Sequence, residues 1–279
     1  MNAKRDLLAG VDLGGTKILT VLADRSGRVL ARVKVPTEAS RGRDQVIDNI
    51  VETVHAACRR AGVPSAALAA AGVGAPGPLD PERGHVHFAP NLGWRDVPLA
   101  AMLRQRLDLP VFLDNDANLA ALGEHVYGAG CGLPDMVYIT VSTGVGGGLI
   151  LGGRIYHGAG GGAGEIGHVT VDPEGPPCRC GNAGCLEALA SGTAMARRAA
   201  ALVEEGRGAG ILAAAGGDKS RITARAVAQA AAAGDPEALV ILRDAGRYLG
   251  VAVAGLVNLL NPAAVVLGGG AMQAGAPLW

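Results

Sequence analysis

Cys178, Cys180 and Cys185 fall within eight residues of one another, and His168 stands ten residues before the first of them. Thiolate and imidazole are donors that Zn²⁺ selects, and three of one with one of the other close a tetrahedron. A closed set leaves no position for a reacting molecule, so the spacing predicts a structural rather than a catalytic ion. The chain has five cysteines, an odd number that fits metal ligation better than a disulfide framework. Cys58, on an expected helix, and Cys131 read as core or loop residues.

Two glycine-rich loops make a second pattern. Asp12-Leu13-Gly14-Gly15-Thr16-Lys17 and Ser142-Thr143-Gly144-Val145-Gly146-Gly147-Gly148 each follow an apolar run and precede another. Neither matches the common phosphate fingerprints. The sequence has no Gly-Lys dipeptide, which excludes a Walker A loop, and Leu149 occupies the place of the third glycine of a dinucleotide loop. What remains is a pair of hairpin turns whose N–H groups and hydroxyls suit a polyphosphate held from two sides. Asp12, Gly14, Gly15, Thr16, Lys17, Thr143, Gly144, Gly146 and Gly147 are the candidate phosphate-binding residues. Asp12 is placed to hold Mg²⁺, through water.

The elements that must present these residues are legible from periodicity. Strands are expected over Leu7–Leu13, Ile18–Ala23 and Val29–Val35, followed by a helix over 44–61 that Gly62 closes. A strand over Ala66–Val73 runs into Gly74-Ala75-Pro76-Gly77-Pro78. Val97–Leu107 reads as a helix, Val111–Leu113 as a strand and Ala117–Val126 as a helix. The opening pattern then returns: strand Val137–Val141, glycine loop 142–148, strand Leu149–Leu151, and a third element beginning at Arg154–Tyr156. Thr223 caps a helix over 224–233, and Asp235-Pro236-Glu237 opens another that runs to Leu260. Strand Ala264–Leu267 delivers Gly268-Gly269-Gly270. A repeat distance of about one domain length indicates a duplicated α/β domain.

Composition excludes several classes. The 279 residues carry 25 basic and 25 acidic side chains, and the resulting zero net charge gives no basic excess for nucleic acid or anionic membrane. Aromatic residues are 3%, too few for base-stacking platforms. Met1–Arg5 is polar and no stretch reaches the roughly 20 apolar residues of a membrane span. A soluble cytoplasmic protein is expected. Glycine is the outlier, at 44 residues, with clusters at 144–148, 158–164 and 268–270 that suit close approach of backbone to a ligand.

The segments Asp12–Lys17, 142–148, Gly164-Glu165-Ile166-Gly167-His168 and Cys178–Glu187, taken in order, resemble the ROK family (repressors, open reading frames, kinases), and within it bacterial glucokinases. The resemblance covers nearly the whole chain. It implies an α/β, duplicated actin-like (RNase H-like) ATPase fold with two domains around a cleft. The expected division is a small N-terminal domain over 1–115 and a larger C-terminal domain over 116–279. The first would carry phosphate loop 1 and part of the sugar site, the second phosphate loop 2, the zinc site and an adenosine loop at Gly269. Family members usually continue beyond that loop into a final helix, which the second domain is expected to lack.

The activity so implied is ATP-dependent phosphorylation of a hexose, glucose to glucose 6-phosphate, with ATP, Mg²⁺ and structural Zn²⁺. His168, Cys178, Cys180 and Cys185 match the family's zinc ligands. His168 lies three residues after Glu165 and Cys185 two before Glu187, so one ion would tie together two loops that each present a carboxylate. Fixed acceptors of this kind suit vicinal hydroxyls, because a mobile acceptor gains little over water. Asp116, in Leu113-Asp114-Asn115-Asp116-Ala117-Asn118, lies at a strand end and helix start, where the helix terminus favours the ionised carboxylate. It is the expected general base. Gly77, Asn91, Asn115, Asp116, Glu165, His168 and Glu187 are the expected sugar contacts. Asp114 and Asn118 are assigned to structure, and His85 and His87 to one non-catalytic strand face. N-acetylhexosamine kinases and fructokinases remain open within the class. A sugar-responsive repressor is disfavoured, since no helix-turn-helix precedes the first strand. Hexose and ATP are the expected partners, with no nucleic acid and no membrane. A homodimer or homotetramer is expected, and the donor stays open between ATP and polyphosphate.

Overall fold

The computed structural model describes residues 6–275 and Leu278. The polar start Met1–Arg5, read above from sequence, lies outside the described residues, as do Ala276, Pro277 and Trp279. The chain divides into two compact units. One runs to Ala120 and takes in His157–Ala163; the other comprises Ala121–Tyr156 and the residues from Gly164 onward.

The first unit opens with β1 (Leu7–Leu13), β2 (Lys17–Asp24), β3 (Val29–Pro36) and α1 (Arg43–Ala61). It continues through β4 (Leu68–Ala75), β5 (Leu79–Asp80), β6 (His85–Ala89) and β7 (Trp94–Val97). Then come α2 (Leu99–Leu107), β8 (Val111–Asn115) and the start of α3 (Asp116–Tyr127). The main sheet has the order β3-β2-β1-β4-β8, with β1 antiparallel to β2 and parallel to β4. α1 buries Val46, Ile47, Ile50, Val54 and Cys58, recurring at helical spacing, against β2 and β3. Gly62 ends it in the left-handed conformation. Two buried hydroxyls sit in this core. Thr20 donates to Thr53 (2.8 Å), which donates to the Ile50 carbonyl (2.7 Å), so neither is left unpaired.

The second unit contains β9 (Met136–Val141), β10 (Val145–Leu151) and β11 (Arg154–Ile155). Helices α4 (Leu186–Ala190), α5 (Gly192–Glu204), α6 (Ala209–Ala214), α7 (Ala224–Ala232) and α8 (Pro236–Leu260) precede β12 (Ala264–Gly268). Its sheet order, β11-β10-β9-β12, repeats β3-β2-β1-β4 strand for strand, including the antiparallel first hairpin and the parallel return. Thr223 caps α7 by accepting from Ala226 N–H, and Asp235 caps α8 by accepting from Ala238 N–H (2.8 Å).

Three differences from the sequence reading have physical causes. The first domain is expected to end at Asn115, whereas the first compact unit runs to Ala120 and takes in the start of α3, where Asn115 Oδ1 accepts from Ala117 N–H and Asp114 Oδ1 accepts from Asn118 Nδ2. The glycine loop expected over 142–148 is a short turn over Ser142–Gly144. Gly146, Gly147 and Gly148 lie inside β10, paired with Thr140, Ile139 and Tyr138. Val97, expected at a helix start, closes β7, since Pro98 follows and the helix starts at Leu99.

Candidate functional site

The first unit assembles one set of expected residues around the β1–β2 turn. Asp12 is exposed near the end of β1, Gly14, Gly15 and Thr16 form the turn, and Lys17 opens β2. Thr37 anchors this turn: its hydroxyl donates to the Gly14 carbonyl (2.6 Å) and its N–H to the Thr16 carbonyl (3.0 Å). Two carbonyl oxygens, which would repel an anion, are thereby taken up on the Thr37 side. Thr37 was not foreseen, since its partners lie about twenty residues earlier in the chain.

A Cβ built on Gly15 would stand 2.9 Å from Asn91 Cβ, so the turn and the expected sugar contact are adjacent. Asn91 sits in a single 3-10 turn, Pro90–Leu92, between β6 and β7. Gly15→Ala must push these two apart. The expected result is a raised KM for both sugar and phosphoryl donor, with little change in melting temperature. Unchanged KM for both substrates would show that this contact is unimportant. Gly77 is fixed by backbone: its φ is +90°, and a Cβ there would collide with the Phe88 carbonyl oxygen.

The start of α3 carries the acidic residues. Asp114 is buried and fully engaged, accepting from Asn115 N–H (2.8 Å), Asn118 Nδ2 (2.9 Å) and His157 Nε2 (2.8 Å). Asn115 Oδ1 accepts from Ala117 N–H (2.8 Å), a capping bond that leaves its amide nitrogen to meet a ligand. Asp116 remains open to solvent. Its carboxyl is nevertheless held above the usual aspartate range. Enclosure by surrounding protein is the largest cause; the Ala117 N–H opposes it, and the negative charge of Asp12 adds to it. A carboxylate raised this way, reachable and uncommitted to a cation, has the character of a general base. His157, which orients Asp114, was missed because its partner is 43 residues away.

In the second unit the zinc candidates converge. Cys178 Sγ lies 3.7 Å from His168 Nδ1, Cys180 Sγ lies 3.6 Å from Cys185 Sγ, and all four donors fall within 4.8 Å of one another. Tetrahedral bonds of about 2.0–2.3 Å give donor–donor edges of roughly 3.5–3.8 Å. The cysteines are unbridged. Burial, then the neighbouring Cys180 and Cys178 sulfurs, push the Cys185 thiol up to about 12. A bound cation would favour the thiolate forms that burial and the neighbouring sulfurs disfavour here. Donor types and separations fit Zn²⁺.

The ligand loops end on two carboxylates. Glu165 is exposed at the start of the 3-10 turn Ile166–His168. Glu187 lies in the first turn of α4, whose N-cap is Cys185, and its Oε2 accepts from Val145 N–H (3.0 Å). One oxygen of Glu187, an expected sugar contact, is therefore committed to the backbone that follows the Ser142–Gly144 turn. Gly147 lies within β10, packed so closely that a Cβ there would collide with Ile166. Gly146 is likewise a strand residue.

Beside Ser142 and Thr143 lies a cavity of about 870 Å³, walled by Thr193, Arg225, Gln229 and Gly270. Its size suits a nucleotide. Thr193 donates through its hydroxyl to the Thr143 carbonyl (2.8 Å), and Gly192 N–H to the Ser142 carbonyl (2.8 Å), so the start of α5 fixes the turn. Gly269 caps the 3-10 turn Gly270–Ala274 next to the cavity. The wall residues on α5 and α7 were not foreseen.

The ROK family model matches residues 8–278. The chain belongs to the ROK family. It is 43% identical over 268 residues to the glucokinase of Halalkalibacterium halodurans, covering 95% of this chain and 81% of that protein. The ROK hexokinase of Thermus thermophilus superposes with a TM-score of 0.80 at 42% identity, over 96% of this chain and 83% of that one. A ROK glucokinase from Streptomyces griseus, solved with glucose and AMPPNP, gives 0.82 at 39% identity, over 98% and 86%. These ROK structures carry the actin-like ATPase fold, to which the repeated strand order of the two sheets conforms. Among the described residues no helix is long and apolar enough to cross a membrane.

Proposed function

We propose that this ROK protein is a cytoplasmic sugar kinase that transfers the γ-phosphoryl group of ATP to the 6-hydroxyl of glucose. The observation that carries the reading is Asp116: an open carboxylate with raised proton affinity, in a chain about two-fifths identical to glucokinases over nearly its whole length. Asp116 takes the hydroxyl proton as the sugar oxygen bonds to phosphorus, and ADP leaves with the electrons of the broken P–O bond. Asn91, Asn115 and backbone at Gly77 position the sugar in the first unit. Glu165, His168 and Glu187 are the candidate sugar contacts that the second unit carries.

Each unit carries a phosphate-binding turn, Gly14–Thr16 in the first and Ser142–Gly144 in the second, and the cavity beside Gly269 and Gly270 receives the adenosine. Mg²⁺ needs only one or two protein carboxylates besides phosphate oxygens, and Asp12 fits that demand; bound there, the ion neutralises charge on the leaving phosphates. Zn²⁺ held by His168, Cys178, Cys180 and Cys185 is structural, and fixes the segments that bear Glu165 and Glu187.

A coupled ADP-release assay over a hexose panel tests the function. Glucose is expected to give the highest kcat/KM, above fructose and N-acetylmannosamine. Sugar binding without ADP release from any hexose would leave a sensor or repressor instead.

A further inference from the structure

The small sheet β5-β6-β7 carries a gathering of metal-binding side chains separate from the cysteine cluster. His85 and His87 are two residues apart on β6, so both imidazoles leave one face. β6 pairs antiparallel with β7, Val86 opposite Val97 and Phe88 opposite Arg95, which sets Asp96 opposite His87 on that same face. Asp96 has φ +52°, in the left-handed region that aspartate tolerates better than most residues. One ring nitrogen from each histidine and one carboxylate oxygen of Asp96 lie within 4.8 Å of one another. The two rings are tilted at 57° with centroids 5.4 Å apart, and none of the three side chains has a hydrogen-bond or ion-pair partner among the described residues. Asp80 stands opposite His85 on β5; its Oδ1 accepts from Arg83 N–H, so it adds negative charge beside the group without offering that oxygen.

We propose that His85, His87 and Asp96 form a binding site for a divalent transition metal of the Zn²⁺, Co²⁺ and Ni²⁺ class. Two imidazoles and one carboxylate select these ions over Ca²⁺ and Mg²⁺, which prefer all-oxygen sets. Three protein ligands leave at least one position for water, unlike the closed cysteine cluster. The ligands come from both legs of the β6–β7 hairpin, so the ion braces the hairpin whose tip carries Asn91. The site does not depend on the kinase reading.

The test uses the untagged full chain with its cysteine cluster first saturated with Zn²⁺, then titrated with Co²⁺ and followed by visible absorption. One further equivalent is expected to bind, with ligand-field bands but without the near-ultraviolet thiolate charge-transfer band. His87→Gln and Asp96→Asn should each weaken that equivalent by more than the about 10–100-fold lost when a ligand's supporting hydrogen bond is removed. His125→Gln should leave it unchanged. The His87→Gln and Asp96→Asn variants should melt with wild-type in the presence of chelator, since both side chains are exposed. Absence of the further equivalent, its appearance only with thiolate charge transfer, or full retention in the His85→Gln/His87→Gln double variant would overturn the site.

Discussion

Asp116→Asn is expected to lower turnover by about 10²–10⁴-fold or more, the contribution of a positioned general base, while glucose affinity stays close to wild-type. Asparagine keeps the volume and one acceptor but cannot take the proton. Folding should not suffer. Burial and Asp12 raise the Asp116 proton affinity in the native state, so between the unfolded and folded pKa values the native state binds more protons than the unfolded one. Stability contributed by this group therefore falls as pH rises through that window, and above it the ionised Asp116 is a net cost. The variant should melt at or above the wild-type temperature at neutral pH. The acid limb of kcat/KM in the wild type should lie above the ordinary aspartate pKa of about 3.9. Asp12→Asn should move it downward, because one of the two raising causes is gone. Wild-type turnover in Asp116→Asn, or a limb that ignores Asp12→Asn, would remove Asp116 from the role.

Removing the ion from the Cys178–Cys180–Cys185–His168 cluster is expected to weaken glucose binding on the order of 10–100-fold. That is the scale of one hydrogen bond to a charged acceptor, about 1.5–3 kcal/mol, converted at 1.4 kcal/mol per decade. The loss should extend to the nucleotide. Cys185 caps α4, and Glu187 in the next turn accepts from Val145 N–H at the Ser142–Gly144 turn. A freed α4 start thus loosens both places, and KM for ATP should rise with that for glucose. Calorimetry on protein verified as zinc-free by elemental analysis makes the measurement, with Cys180→Ser as the genetic counterpart. Undiminished sugar affinity in verified metal-free protein would show that the ion holds nothing the sugar uses.

How much of this was legible depended on how local the signal was. Asp235-Pro236-Glu237 opens α8, and Thr223 caps α7, because a cap is read within four residues. The four zinc candidates span fewer than twenty residues and announce themselves by donor type. Helices α4, α5 and α6 were not foreseen: the stretch from Leu186 to Ala214 is dominated by alanine, which favours helix without marking a buried face. Their loss hid the cavity wall, including Thr193. Gly146–Gly148 misled in the opposite direction. Glycine signals a turn, but here side chains are absent because Ile166 crosses β10 at Gly147. Thr37 and His157 act on partners fixed only by the tertiary fold, and no spacing rule reaches them.

The segment 157–163 belongs to a unit whose remaining residues precede Ala121, so the polypeptide passes from one unit to the other three times. Dissecting the gene at a single codon cannot yield two whole halves. A piece ending at Ala120 would retain Asp116 yet forfeit the imidazole that pins Asp114 two residues before it, leaving a buried carboxylate with only amide donors. Complementation from separately expressed pieces should therefore need the His157 strand of polypeptide on the first of them, supplied as a circular permutation or a grafted tail.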